Sequence, residues 1–530
     1  MSADTPNQKC RLSVAMIVRD AEDSLADSIL SVQTIADEVV VLDTGSTDRS
    51  VEVAQGLGAR VIERDWDDDF SSARNFCGRQ ARGDWILWLD AGERLGEEAA
   101  AQIRDVVDGG GESRCAYMLL VELPAAIDGA ASEQVGQIRL VPRSDEVRFA
   151  GRVREQIRPA IEAAGMTIDA VAGKIMRTRR DHDPQVKARR AERNKRLAEM
   201  EIRDGGPAAR LFNVLGEAES DLGQISAARG WFQQALAASE TGSTDMLEAY
   251  YGVMTSYDAE ADGSEAQIKI CLEALELFPF DAQLLCAMAN YLQRRQRPDL
   301  AIKAYDTAVR FGQVNPETWH LCNISEVAAV CLSATYQSLE NHEAARRTLE
   351  EALARDGSSI RMRRQLIDLH VAHDRRKEAL DEVDRLGDAE PHRESLRSAV
   401  RGACLASQKS WVMALAHLKT AHSAGCRDPL CLRWLTMSLL ATGELEALGP
   451  ILDEWRQIEP RSVEALRYQE ALESMRTGQR ARPVEAESAR HLRMDTAVSG
   501  VPADAPHPSL ETHRLSVETR DLAGPGVSSP

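Results

Sequence analysis

Three short apolar runs, Val39 to Leu42, Ala59 to Ile62 and Trp85 to Leu89, alternate with segments of helical period between Val39 and Arg94. Such alternation favours a parallel sheet with crossover helices. Each run then breaks into polar residues: Asp43 follows the first, Asp65 stands just after the second, and Asp90 ends the third. In an open α/β sheet the carboxyl ends of the strands border the crevice where ligands bind, so the three acids are expected to converge there. Leu12 to Val18 is a further run that opens the sheet, and Arg19-Asp20-Ala21-Glu22 at its end adds a fourth contribution.

The crossovers follow from spacing. Leu25, Ile29 and Val32 stand three and four apart and predict a first helix over Asp23 to Val32. Thr44-Gly45-Ser46-Thr47-Asp48 supplies a turn and hydroxyl caps for a helix running to about Leu57, with Gly58 as its stop; Ser71 to Arg82 should form the next, closed by Gly83. In one reading Asp43, Ser46 and Thr47 only cap a helix, and Trp66, Phe70 and Trp85 are core aromatics. That suffices for the aromatics. For Asp43 and Asp90, two strands of one sheet ending in like charges at neighbouring positions is costly, which points to a ligand sharing that space.

After Gly205-Gly206-Pro207 the period changes. Gly216, Ala228, Phe232 and Ala235 stand at a small-small-aromatic-small spacing that Ala289, Ala301, Tyr305 and Ala308 repeat. Ala274 and Ala308 are 34 apart, as are Ala345 and Ala379, and Ala414, Leu418 and Ala421 continue the series. This resembles the tetratricopeptide repeat, whose period is about 34 residues, and implies six or seven helical pairs from 207 to 475 stacked into an all-α solenoid with a concave face. Pro316 to Ser325 looks like an insertion: the interval from Ala308 to Ala352 exceeds 34 by ten. Thr477 to Pro530 contains no Phe, Trp or Tyr, so 476–530 is expected to be a disordered tail.

The blocks VVVLDTGSTDRS, WDDDFSSARN and WILWLDAGE resemble the signatures of family 2 glycosyltransferases of the GT-A fold, particularly a bacterial subgroup with a DTGSTDRT turn and an F-S-x-A-R-N helix start. The resemblance covers residues 10 to about 190 and implies an α/β GT-A-like nucleotide-diphospho-sugar transferase domain over 10–200. It implies a nucleotide-sugar donor, with Asp43 bonding the base, Arg74 near the nucleotide and Asp90 on the ribose or the diphosphate. In the family's acceptor-side G-x-V-H-E element an acidic residue takes the acceptor's proton; this chain reads Gly151-Arg152-Val153-Arg154-Glu155, which makes Glu155 the candidate base. The other reading of Glu155 is a solvated side chain on an amphipathic segment.

Departures from the family concern the divalent metal, Mg²⁺ or Mn²⁺. Where members read D-A-D, this chain reads Asp90-Ala91-Gly92-Glu93; the family's His before the base is Arg154; and its His-rich block is replaced by Ile175-Met176-Arg177-Thr178-Arg179-Arg180. No metal ligand is assigned. Arginine cannot ligate a cation but supplies charge and paired donors to phosphate, so Arg154 and Arg177 are expected to face the diphosphate in its place. Lys174 to Arg196 is dense in Lys and Arg; it reads as a solvated basic helix joining the domains, with some arginines turned to a diphosphate as the sharper alternative and membrane-surface contact as a third.

Composition narrows the partners. A formal net charge of -20 argues against a nucleic-acid-binding surface, and ten cysteines without a CxxC pair suit buried thiols in a reducing compartment. Met1 to Arg11 has no signal-peptide core and no run approaches a membrane span, so a cytoplasmic protein is expected. Two functions follow: a glycosyltransferase whose repeats present a protein, peptide or glycan acceptor, or a catalytically degenerate nucleotide-sugar-binding domain on a protein-interaction scaffold.

Overall fold

A computed structural model describes residues 11–109, 114–125, 131–178, 183–258, 260, 263–387, 390, 392–460 and 462–477; the expected tail from 478 onward lies outside them. The N-terminal unit is one mixed sheet. Its strands are β1 (Leu12–Val18), β2 (Glu38–Asp43), β3 (Arg60–Glu63), β4 (Trp85–Trp88), β5 (Glu93–Leu95), β6 (Cys115–Leu123), β7 (Glu133–Pro142), β8 (Thr167–Arg177) and β9 (His320–Leu321). They lie in the order β3-β2-β1-β4-β7-β6-β8-β5, with β9 paired to β7. Helices α1 (Leu25–Val32), α2 (Ser50–Gly56), α3 (Phe70–Gln80), α4 (Glu97–Asp108) and α5 (Arg158–Ala163) cover it, and α6 (Pro184–Arg203) leads out.

Parallel strands covered on both faces are nearly continuous apolar runs, and β1 is one apart from Ser13. Leu12, Val14, Met16 and Val18 pack with Leu25, Ile29 and Val32 of α1 and Ile103 of α4. Ala15 and Ile17 face the other way, onto Ala73 and Cys77 of α3 and Ile161 of α5. Gly83 does not end α3 in the left-handed conformation; a Cβ there would lie 2.6 Å from the backbone nitrogen of Ser13, so it is a glycine because β1 passes against it.

From Ala208 to Thr477 the chain is helical apart from β9 and short connections. The small residues at the 34-residue spacing are packing residues. Ala228, Ala235, Ala289, Ala301 and Ala345 are buried, and Phe232 lies against Gly216, where a Cβ would come within 2.5 Å of its ring. No helix among the described residues is long and apolar enough to cross a membrane.

The repeats do not hang free of the sheet. Leu197 and Ala198 of α6 bury against Val153 on one side and Leu211, Val214 and Leu215 of the first repeat helix, Ala208–Asp221, on the other. The segment read as an insertion crosses back onto the N-terminal unit. β4 pairs only with the end of β7, Leu140 to Pro142, which leaves the other end of that edge open, and β9 fills it with Gln134 opposite His320 and Glu133 opposite Leu321. The amide of Cys322 donates to the Ser132 carbonyl at 2.8 Å, and Arg158 pairs with Glu317. A strand two residues long has no period of its own, so nothing in its sequence announces it.

Candidate active site

The crevice forms where β1, β2 and β4 end. Asp43 closes β2, opposite Val18 of β1, and is buried. One of its oxygens accepts from the amides of Gly45 and Ser46, both at 3.0 Å, and the other from the Ser46 hydroxyl. Asp20, at a positive φ of 48°, accepts from the amide of Thr47 at 2.7 Å, while its own amide donates to the Ser46 hydroxyl. The Thr44 to Asp48 turn is therefore tied to the end of β1 by side chains from both strands. Asp43 and Asp90 are not neighbours, because β1 lies between β2 and β4. That corrects the like-charge argument made for them. Asp65 is exposed and does not join them.

Around Asp90 the charges alternate. Arg74, on α3, donates from Nη2 to Asp90 Oδ1 at 3.0 Å and from Nε to Glu155 Oε1 at 2.5 Å. Its guanidinium lies between the rings of Trp88 and Phe149, at 5.4 and 5.3 Å from their centroids, and only 11% of the side chain is exposed. The helix that carries it starts at Asp69, which caps the amide of Ser72 at 2.8 Å. Arg139, from the middle of β7, donates to Glu93 Oε1 at 2.7 Å and reaches Asp90 Oδ2 at 3.4 Å; Arg177 at the end of β8 donates to the same Glu93 oxygen at 3.2 Å. Burial opposes ionisation of Asp90, but the guanidinium groups of Arg74, Arg139 and Arg177 outweigh it and hold the carboxyl well below its ordinary range. Burial likewise opposes the charge on Arg74, and Asp90 with Glu155 raises its pKa despite that.

This donor set does not fit a divalent cation. Glu93, whose side chain is 2% exposed, is used by Arg139, Arg177 and the amide of Asp90, and Gly92 has no side chain to offer. Among the described residues no group of three or more His, Cys, Asp and Glu could hold a metal ion. What the crevice offers a ligand is the Asp90 carboxylate, 33% exposed, and the guanidinium groups of Arg74, Arg139 and Arg177 that act on it. Nη1 of Arg74 and Nε of Arg139 have no partner among the described residues. Arg193 of α6 stacks 4.9 Å from the Phe70 ring, and Glu155 acts electrostatically on it.

The sequence-predicted residues thus divide. Arg74, Asp90, Glu155 and Arg177 come together around one network, with Asp43 across β1 on the same rim. Arg154 does not join them: at a φ of 48° its side chain turns to the repeats, where it pairs with Glu217 and, at 3.1 Å, with Glu248. The expectation that Arg154 faces the diphosphate is corrected by that geometry. Arg139 escaped the sequence reading; its signal is a lone charge inside the apolar run Val135 to Pro142, where a buried arginine requires carboxylate partners. Of the stretch read as a solvated basic helix, Lys174 to Arg177 ends β8 and the part from Pro184 belongs to α6, whose Arg189, Arg193 and Arg196 are exposed while Ala191 turns inward.

Residues 13–96 match the sequence profile of the family described as Glycosyl transferase family 2. The chain is 32% identical over 238 residues to a TPR repeat-containing protein of Synechococcus elongatus, a stretch covering 43% of this chain and 56% of that one. It is 37% identical over 93 residues to an uncharacterized glycosyltransferase of Rickettsia typhi, covering 18% and 32%. The chain therefore spans about half the length of the first relative and a third of the second. A tetratricopeptide repeat protein from Parabacteroides merdae superposes with a TM-score of 0.36 at 15% identity, over 55% of this chain and 100% of that one.

Proposed function

Starting from a chain that carries a family 2 glycosyltransferase domain ahead of tetratricopeptide repeats, we propose an enzyme that transfers a sugar from a nucleotide-diphosphate donor to an acceptor held against the repeats. The observation that carries the reading is the network that Arg74, Arg139 and Glu155 build around Asp90, which follows the carboxyl end of β4, where an α/β sheet binds its ligands; Arg74 and Asp90 lie within the family-matched residues 13–96. Asp43 and the Thr44 to Asp48 turn take the nucleoside, and Asp90 takes the ribose or the phosphate-proximal hydroxyls. Arg74, Arg139 and Arg177 supply the positive charge that offsets the departing diphosphate, a contribution worth several kcal/mol in transfers of this kind. Glu155 accepts the acceptor's proton: its Oε1 is bound by Arg74, while Oε2 has no bond among the described residues.

A nucleotide-sugar-binding domain without turnover is the second reading. It is favoured by one observation, that Arg139 and Arg177 close on Glu93 and fill the corner that a cation would need. Purified protein decides between them through donor hydrolysis and transfer, measured in EDTA and then with Mn²⁺ added back. We expect donor binding to persist in chelator and Arg177→Glu to weaken it, more strongly at low salt, because the arginine acts through charge. Binding that collapses in EDTA and returns with Mn²⁺ would refute the arginine arrangement. Binding without turnover under either condition selects the second reading.

A further inference from the structure

Beside the candidate crevice lies a cavity of about 130 Å³ between the sheet and the repeat helices. Its sheet side is Glu133, Trp319 and Leu321, from the β7 and β9 pairing. Its repeat side includes Tyr251, Tyr291, Tyr305 and Asp258. The cavity touches the crevice through Trp319, whose ring lies 5.6 Å from the guanidinium of Arg177. Neither unit could form it alone.

The lining has a definite chemistry. Glu133 and Asp258 are its only charged members, and both are anionic. The Glu133 carboxylate makes no hydrogen bond or ion pair among the described residues, and burial pushes its pKa up to about 7 against the weaker, opposing pull of Lys187. A half-buried carboxylate that lines a cavity and has no partner there is a group suited to meet a cation. Further acids stand on the first repeat helices: Glu217 and Asp221 on Ala208–Asp221 and Asp245 and Glu248 on Thr244–Thr255 all have pKa values raised chiefly by burial. Arg154 pairs with two of them, and Lys187 and Arg190 act on Asp221. Aromatic rings with carboxylates form a recurrent setting for an ammonium group on an apolar stem. A cavity of roughly 150 Å³ accommodates a six-carbon ring, so this one has room for a single side chain.

We propose that this cavity receives a lysine side chain of a protein or peptide acceptor, with Glu133 and Asp258 meeting its ammonium group and the rings of Tyr251, Tyr291, Tyr305 and Trp319 flanking its stem. The inference deepens the transferase reading by giving its acceptor a chemical class: the lysine anchors the acceptor beside the crevice, while sugar transfer takes place at Glu155. The glycan alternative lacks a charge to set against the two carboxylates.

The test uses the full chain and calorimetric titration at about pH 8, above the raised pKa of Glu133. The probes are acetyl-Ala-Ala-Lys-Ala-Ala-amide, the same peptide with norleucine for lysine, and maltotriose. The lysine peptide should bind about tenfold more tightly than the norleucine peptide, and Glu133→Gln, with Asp258→Asn as a second variant, should remove most of that difference. Equal affinity for the two peptides, binding of neither, unchanged selectivity in both variants, or displacement by maltotriose overturns the proposal. Thermal shift with nucleotide sugars on the same sample separates the two readings, since Glu133 lies outside the donor network. Lysine selectivity without a donor shift sinks the transferase reading alone, and a donor shift without lysine selectivity sinks this one alone.

Discussion

Arg210 and Glu201 form a buried pair that holds the backbone just before Glu155, and replacing Arg210 with Met tests whether the repeats position the base. Both side chains are 9% exposed. Arg210 donates to Glu201, to the carbonyl of Val153 and, at 3.1 Å, to that of Arg154; Glu201 accepts from the amide of Arg152 at 2.7 Å. Arg210→Met leaves a buried carboxylate without its cation and two carbonyls short of a donor, and breaking a buried pair by removing one partner costs about 3–5 kcal/mol. Hydrogen exchange measured on a peptide spanning 148–160 reads that loss locally, without assuming that so large a chain unfolds in one step. At about 1.4 kcal/mol per decade, exchange should accelerate by roughly two to three and a half orders of magnitude. Adding Glu201→Gln removes the stranded charge, so the double variant should recover much of the protection instead of losing more. An acceleration below about threefold in Arg210→Met, or strictly additive losses in the double variant, would refute the assignment.

Three further outcomes are expected. Gly216→Ala, which sets a Cβ within 2.5 Å of the Phe232 ring, should cost about 1–3 kcal/mol in urea titration of the helical signal, whereas Gly230→Ala, with nothing within 4 Å, should be neutral or stabilising. Asp43→Asn keeps an acceptor for the amides of Gly45 and Ser46 but removes the carboxylate, so the melting temperature should hold while stabilisation by nucleotide is lost; retained stabilisation would move the nucleoside site elsewhere. A fragment of residues 207–477 should keep its helices from Ala282 onward but lose exchange protection over Ala208–Asp221 and at β9, because these lean on α6 and β7; equal protection in fragment and full chain would show that the repeats need no such support.

Periodicity made most of the fold legible. β1 coincides with the apolar run from Leu12 to Val18, and the 34-residue spacing of small residues lands on buried helix contacts, because both patterns arise from local geometry and burial that recur along the chain. What depends on a partner distant in sequence was not legible. Arg139 reads as a stray charge until Asp90 and Glu93 stand beside it, some fifty positions away, and the segment around His320 reads as an irregular repeat until the open edge of β7 is known. The glycine at 83 was legible as a glycine but not for its reason, which is the passage of Ser13.

The Arg152-Val153-Arg154-Glu155 stretch shows why a site so divided is also one unit. Glu155 turns to Arg74 in the crevice, while Arg154 beside it turns to Glu217 and Glu248 on two repeat helices, and the positive φ of Arg154 separates their directions. A non-glycine residue in that region persists only where its surroundings enforce it, and here they do so through Glu201 and Arg210 as well as through the Glu217 and Glu248 pairs. The candidate base is therefore set from both sides of the interface. A repeat array that merely delivered an acceptor would need no such contact, whereas one that lines the cavity at Trp319 and fixes the backbone before Glu155 would couple the proposed acceptor docking to the geometry of the proposed transfer site. The family's sequence signature ends at residue 96, and the groups proposed to take the acceptor and its proton all lie beyond it.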